Sequence, residues 1–197
     1  MRPDVERNHH AATPLELARE AAMGFNAVRF ALKLGFKPDP HQTKLLLCDS
    51  TSVILNCSRQ WGKSTICALK ALHTLVTEEE ALAVVVSPSD RQSREFVRKT
   101  EQFVRKLGFK VRGDGDNDVS LMLPNGSRLV GLPGKESTIR GFSSVSMLLI
   151  DEAAQVSDEL YKASRSMRRH QRNPRRNHCC RFFPEKGQSI AASRGAS

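Results

Sequence analysis

The sequence lacks the features that mark membrane, secreted and disulfide-bonded proteins. Of its 197 residues, five are Cys, one is Trp and one is Tyr. The cysteines show no metal-ligand spacing, and the adjacent pair Cys179 and Cys180 is not a C-x-x-C motif, so we expect reduced thiols. No apolar run approaches the ~20 residues that span a bilayer, and residues 1–10 are too polar for a signal peptide. These absences favour a cytoplasmic protein that is not attached to a membrane.

The positive charge of the sequence is concentrated near its C-terminal end. The formal net charge is +10, and residues 165–197 contain nine Lys or Arg and one acid, Glu185. Apolar periodicity is almost absent from residues 165–181. We therefore expect a disordered segment over residues 1–12, one domain over residues 13–164, and a disordered basic tail over residues 165–197. Such a tail can bind nucleic acid non-specifically, or it can be only a solvated extension.

The centre of the sequence is a strand, a polar loop and a helix in direct succession. An apolar run at residues 53–55 predicts a buried strand, and apolar residues at helical spacing follow from Ile66. The loop between them, residues 57–65, ends in Gly-Lys-Ser-Thr, which is typical of a phosphate-binding loop. Cys57 stands where this motif usually has its first glycine. Because Gly-Lys pairs also occur in ordinary surface turns, the flanking strand and helix carry most of this prediction.

Each residue type at the end of this loop suits a triphosphate. Backbone N–H groups and the helix N-terminus would face the anion, and Gly62 would allow the backbone to approach it closely. Lys63 would reach the β- and γ-phosphates, and the Ser64 hydroxyl would bind Mg²⁺. The expected cofactors are therefore Mg²⁺ and a nucleoside triphosphate, and the candidate adenine contact of Gln42, described below, favours ATP.

The remaining periodicity predicts an α/β fold with a mostly parallel sheet flanked by helices. Helices are expected over residues 14–34 and 90–107, and a strand buried on both faces over residues 83–86. Alternating apolar residues around an Asn-Gly turn predict an antiparallel hairpin over residues 119–130. Strands that alternate with helices are typical of a parallel sheet.

A second helix start precedes the central strand. Asp39 could cap this helix and Pro40 could open it. Gln42 follows in its first turn, and a carboxamide can both donate to and accept from the edge of an adenine. An exposed glutamine on a helix is ordinary. Gln42 is a candidate for adenine recognition because its helix precedes a phosphate loop.

Two carboxylates follow the apolar run at residues 147–150. A buried parallel strand delivers such acids at its carboxyl end, where open α/β sheets bind ligands. Asp151 would hold Mg²⁺ through its water shell, and Glu152 would activate the attacking water. The alternative is an acidic helix N-terminus, because residues 153–164 predict a helix.

Several stretches together resemble one family, the N-terminal ATPase domain of the large subunit of a tailed-phage DNA-packaging terminase. The stretches that carry the resemblance are residues 38–42, 57–65, 87–93, 139–142 and 148–154. The resemblance implies a P-loop NTPase fold of the ASCE type and a homo-oligomeric ring in a bacterial host cell. The ring would drive double-stranded DNA into a capsid, with the portal protein and the small terminase subunit as partners.

The resemblance also assigns site residues. It implies that Asp151 is the Walker B acid and Glu152 the catalytic glutamate. Arg59 matches an arginine proposed to sense the γ-phosphate, and Arg140 is a candidate arginine finger for a neighbouring subunit. The nucleotide-binding set implied by the Walker A match is Gln42, Ser58, Arg59, Gln60, Trp61, Gly62, Lys63, Ser64 and Thr65.

The sequence departs from the family after residue 164. A further buried strand and a nuclease domain are expected there, and neither pattern is visible. We therefore expect a sheet that is incomplete at the C-terminus, no nuclease site, and a truncated prophage-derived copy with a reading-frame change near Ser164. The alternatives are a non-catalytic remnant that binds nucleotide and nucleic acid weakly, and a helicase-like ATPase.

Overall fold

The computed structural model describes residues 13, 26–50, 52–58, 60–133, 141–159, 162, 178–183 and 189–193. Within them, helices pack against a seven-stranded, mostly parallel sheet, which confirms the predicted α/β architecture. The α-helices are α1 (Ala27–Lys33), α2 (Pro40–Leu46), α3 (Lys63–Thr77) and α4 (Asp90–Lys106). The strands are β1 (Ser52–Asn56), β2 (Leu82–Ser87), β3 (Ser120–Met122), β4 (Arg128–Pro133), β5 (Met147–Ile150), β6 (His178–Phe183) and β7 (Ser189–Ser193).

The order of strands across the sheet is β3-β4-β2-β5-β6-β1-β7. The five inner strands run parallel to one another, and the two edge strands, β3 and β7, are antiparallel to their neighbours. All five inner strands therefore end at the same edge of the sheet. This is the edge where open parallel sheets bind ligands.

Apolar side chains cover both faces of the sheet. Along β2, Ala83 and Val85 belong to the larger core that α1–α4 cover, whereas Val84 and Val86 belong to a second core on the opposite face. Every residue of β2 and of β5 is buried. Burial on both faces explains why these strands are continuous apolar runs rather than alternating ones.

Most predicted elements are found close to their expected positions. Ser89 caps α4, and the hairpin of β3 and β4 turns at residues 124–127. Asp39 caps α2, and Pro40 opens it. None of the helices within the described residues combines the length and apolar character needed to cross a bilayer.

Two helix predictions are corrected in their limits. α1 begins at Ala27, because the Asn26 side chain accepts the Arg29 N–H (3.1 Å) and caps it, so the helix predicted over 14–34 is interrupted at residue 26. Its first part, residues 14–25, lies outside the described residues. After β5, Ala153–Gln155 forms a single 3₁₀ turn, and Val156 is extended. The helix predicted over residues 153–164 is therefore not continuous.

The expectation of an unstructured tail is wrong for two segments of it. β6 lies between β5 and β1 and pairs in parallel with both, through residues 147–150 and 52–56. β7 then pairs antiparallel with β1. The rest of the predicted tail lies outside the described residues, as does the predicted N-terminal segment 1–12.

β6 could not be recognised from its side chains because backbone hydrogen bonds to two neighbouring strands hold a central strand in place. Such bonds require no periodic pattern of apolar side chains. The Arg-rich surroundings hid a segment in which four of six residues are Cys or Phe. The hypothesis of a reading-frame change near Ser164 rested on a missing strand, and β6 removes that basis.

A buried lysine fastens α2 to the helix of the phosphate loop. Lys70 of α3 is 5% exposed, and its Nζ donates to the carbonyl oxygens of Leu45 (2.9 Å), Leu46 (3.3 Å) and Cys48 (2.7 Å). These carbonyls lie in the last turn of α2 and just after it, where backbone acceptors lack an α-helical partner; the Leu45 carbonyl also accepts the Cys48 N–H at 3.2 Å. Lys70 therefore fixes the helix that carries Gln42 against the helix that carries Lys63.

We predict that Lys70→Met destabilises the fold. The substitution keeps the aliphatic stem but leaves three carbonyls without their charged donor, at a cost of about 1.5–3 kcal/mol. Urea unfolding followed by circular dichroism measures the loss. Lys44→Met, at an exposed position in the last turn of α2, is the matched control and should change stability far less. Equal stability of the Lys70 variant and the native chain would contradict this role.

Candidate nucleotide site

The phosphate loop lies at the carboxyl edge of the sheet. β1 ends at Asn56, α3 begins at Lys63, and the predicted strand–loop–helix arrangement is therefore confirmed. Gly62 is the N-cap of α3 and has φ of 86°, a left-handed conformation that favours glycine. Since glycine has no side chain to cap the helix, the first-turn N–H groups remain available to an anion.

A cavity of about 370 Å³ opens at this loop. Its size falls within the range of small-molecule sites, roughly 300–1,000 Å³. The residues that line it come from the phosphate loop, from the start of α3, from α4 and from the turn after β5. The lining residues are Cys57, Ser58, Gln60, Gly62, Lys63, Ser64, Thr65, Lys99, Glu152 and Gln155.

The acid at the end of β5 meets the lysine of the phosphate loop. Asp151 Oδ1 lies 3.7 Å from Lys63 Nζ, and the backbone N–H of Glu152 donates to the same oxygen at 3.0 Å. Asp151 is itself held by its N–H, which donates to the Val86 carbonyl of β2 at 2.9 Å. Because β6 separates β5 from β1, this ion pair bridges the ends of two strands that are not neighbours.

Glu152 has an unusual backbone conformation. Its φ of 48° and ψ of 49° are left-handed, which is uncommon for a residue other than glycine. Its carbonyl accepts the Gln155 N–H at 2.8 Å, which closes the 3₁₀ turn. The turn brings Glu152 and Gln155 to the wall of the cavity, facing the phosphate loop.

Burial governs the protonation of two groups at this site. Burial raises the pKa of Asp151, the Lys63 ammonium opposes this shift, and the Glu152 carboxylate adds to it. Burial also raises the pKa of the Cys57 thiol. Cys57 is therefore a neutral wall of the cavity at the position that usually holds glycine, rather than a reactive thiolate.

Gln42 connects α2 to the phosphate loop. Its Oε1 accepts the Asp39 N–H (2.9 Å) and completes a capping box, while its Nε2 donates to the Trp61 carbonyl (2.8 Å). The side chain is 7% exposed. Gln42 thus holds the loop backbone one residue before Gly62, and its recognition of adenine stays a prediction.

The structure brings most of the predicted site residues together. The cavity contains Ser58, Gln60, Gly62, Lys63, Ser64, Thr65 and Glu152, and Asp151 contacts Lys63. Trp61 packs against the main core instead of lining the cavity. Arg59 and Arg140 lie outside the described residues, so their roles stay predictions.

Two lining residues were not identified from the sequence. Gln155 lies four residues after Asp151, within a segment that the sequence predicted to be helical. A tight turn that returns the chain to the cavity was not expected there. Lys99 is one of several basic residues on the polar side of α4, and nothing in the sequence distinguishes it from them.

A family model for the terminase large subunit, T4likevirus-type, N-terminal, matches residues 54–183, about two thirds of the chain. The chain belongs to this terminase family. The match includes the phosphate loop, the strand that ends at Asp151, and β6. The predicted family is therefore confirmed, and the family pattern continues beyond residue 164.

Solved structures of terminases share the fold. The ATPase domain of the Thermus phage P74-26 large terminase has a TM-score of 0.63 and 17% identity over 80% of this chain and 69% of that one. The bacteriophage HK97 large terminase has a TM-score of 0.63 and 21% identity over 76% of this chain. The large terminase of the thermophilic bacteriophage D6E, in complex with ATP-γ-S, has a TM-score of 0.59 and 13% identity over 73% of this chain.

The terminase chain described here spans only part of the complete relatives. It covers 33% of the HK97 large terminase and 37% of the D6E protein. A search of curated proteins gives no match.

The oxygen donors at the site suit Mg²⁺. Ser64, which carries a hydroxyl, lines the cavity, and the Asp151 carboxylate lies beside Lys63. Mg²⁺ prefers hard oxygen ligands and is commonly bound by one or two protein oxygens together with substrate phosphates. Ser64 and Asp151 would hold the ion, which would neutralise phosphate charge.

We predict that Asp151→Asn raises the melting temperature of the nucleotide-free protein at neutral pH. The pKa of folded Asp151 lies above the ordinary value of 3.8, so the unfolded chain releases this proton at lower pH than the folded one. The free energy of unfolding therefore falls as pH rises through that window and stays lower above it. Asparagine avoids this loss.

Thermal unfolding across pH 3–8 is the measurement, with the exposed Asp158→Asn as the control. The stabilisation by Asp151→Asn should grow as pH rises and should be absent from the control. A lower melting temperature of the Asp151 variant at pH 7 would contradict the burial argument.

Proposed function

We propose that this domain binds and hydrolyses ATP, as the motor that drives double-stranded DNA into a capsid. The observation that carries the proposal is the pairing of Lys63 with Asp151 at a cavity that Glu152 also lines. Phosphoryl transfer to water requires a lysine that binds phosphate, an acid that holds the metal ion and a base, and this site brings candidates for all three together. Membership of the terminase family supports DNA packaging as the purpose of this turnover.

Each residue has a separate task in the proposed reaction. Lys63 and the N–H groups of the loop bind the phosphates, and Ser64 and Asp151 hold Mg²⁺. Glu152 accepts a proton from the attacking water. In the proposal, Gln42 reads the adenine while keeping its bond to the loop.

Membership of the terminase family supports a proposal for the assembly. We propose that the domain acts in a homo-oligomeric ring at the portal protein, with the small terminase subunit presenting the DNA. Within that ring, Arg59 would contact the γ-phosphate in its own subunit, and Arg140 would reach the nucleotide of a neighbour. The family match favours this function over a helicase-like ATPase.

We predict different effects for the two central residues. Lys63→Ala should abolish nucleotide binding and hydrolysis, because the phosphates lose their main cation. Glu152→Gln should keep ATP bound and reduce turnover by roughly 10²–10⁴-fold, the usual contribution of a general base. Calorimetric titration measures binding, and phosphate release measures turnover.

Exposed residues supply the controls for this experiment. Lys110→Ala and Glu159→Gln remove the same charges outside the cavity and should match the native chain. Undiminished ATP affinity in the Lys63 variant would refute the site. Unchanged turnover in the Glu152 variant would remove Glu152 from its role, and binding without turnover in the native chain would favour the non-catalytic alternative.

A further inference from the structure

Lys99 is a positive charge at the cavity that the proposed reaction does not yet use. It lies on α4 and lines the cavity together with Lys63, Glu152 and Gln155. Among the lining residues that the structure describes, Lys63 and Lys99 are the two cations. Lys63 already faces Asp151, so the charge of Lys99 requires its own explanation.

Four of the other five cations of α4 have partners elsewhere, and the fifth, Arg91, is exposed and does not line the cavity. Arg94, Arg98 and Arg105 pair with acids on the same helix, Asp90, Glu95 and Glu101. Lys106 donates to the Leu34 carbonyl at 2.8 Å. Lys99 has no carboxylate within 4.0 Å among the residues that the structure describes, and Arg98 already holds both oxygens of Glu95, the acid one turn before it.

The helix that carries Lys99 is fixed relative to the site. Phe96, Val97, Thr100, Phe103 and Val104 are buried and dock α4 on the main core, and Lys99 itself is half-buried. α4 follows β2, and β2 pairs directly with β5, which delivers Glu152. α4 also packs against α3, the helix that follows the phosphate loop, and Lys99 reaches the cavity from this helix.

The charges around the cavity suggest a role for the Lys99 ammonium. Asp151 and Glu152 place two carboxylates next to the space that a triphosphate would occupy, and Lys63 is the positive charge that faces Asp151. In the proposed function Mg²⁺ and Arg59 add positive charge at the phosphates, but neither is a fixed cation of α4 beside Glu152. The terminal phosphate would meet the repulsion of Glu152, the residue that must lie close to it. A second cation at the same cavity, Lys99, would offset that repulsion.

We infer that Lys99 contacts the terminal phosphate of the nucleotide and makes the site prefer a nucleoside triphosphate over a diphosphate. The inference rests on the proposed function, because it takes the cavity to be the phosphate site. It adds a binding residue from α4 that lies outside both the Walker A loop and the Walker B strand. A diphosphate, which ends at the β-phosphate held by Lys63 and the loop, would depend far less on Lys99.

The test compares the affinities of ATP-γ-S and ADP, measured by calorimetric titration in the presence of Mg²⁺. Lys99→Ala should weaken ATP-γ-S about tenfold, the effect of losing one charge-assisted contact, and should change ADP by less than about threefold. Lys99→Arg should restore most of the ATP-γ-S affinity. Arg98→Ala, which removes an exposed charge from the adjacent position, should leave both affinities unchanged.

The outcomes separate this inference from the proposed function. Equal losses of ATP-γ-S and ADP affinity, or no loss of either, in Lys99→Ala would overturn the inference while nucleotide binding by the native chain stands. Retention of both affinities in Lys63→Ala would instead overturn the nucleotide site. Since Lys99 is half-buried and unpaired among the described residues, its variants should keep the native melting temperature, which thermal unfolding checks.

Discussion

The ion pair between Lys63 and Asp151 depends on one constraint, the parallel register of β1, β6 and β5. Lys63 is the first residue of the helix after β1, and Asp151 directly follows β5, so their side chains meet only if both strands end at the same edge. β6 sets the separation, because it lies between them and pairs with both. The site is therefore a product of the central sheet and not of either motif alone. Without this register, the sequence would hold a lysine and an acid with no common cavity.

Two buried polar contacts extend this constraint to the N-terminal part of the domain. Lys70 binds the carbonyls at the end of α2, and Gln42 of α2 binds the Trp61 carbonyl in the loop. Both contacts join α2 to the phosphate-loop segment, one at each end of the short helix. Buried polar groups of this kind specify a single arrangement, because breaking them leaves unpaired donors and acceptors. The loop thus has a rigid support before any nucleotide binds.

The sequence predicts most of this site because each part has a local signature. Asp151 follows a strand buried on both faces, Gly62 supplies a left-handed N-cap, and Asp39 and Pro40 open α2 as their residue types require. β6 could not be predicted in the same way, since backbone pairing with two distant strands leaves no period in its own sequence. Lys99 was missed because only the packing of α4 against α3 and the sheet distinguishes it from its basic neighbours. The position of β6 in the sheet and the position of Lys99 at the cavity both depend on long-range packing and not on local propensity.

Hydrogen–deuterium exchange with and without Mg²⁺ and ATP-γ-S tests the central claim most directly. If one nucleotide joins the phosphate loop to the end of β5, exchange should slow together in residues 57–65 and 151–155, which lie far apart in the sequence. The backbone of α4 around Lys99 should change little, because only its side chain reaches the cavity. Protection confined to one of the two segments, or found only elsewhere in the chain, would contradict the account of a single site across β6.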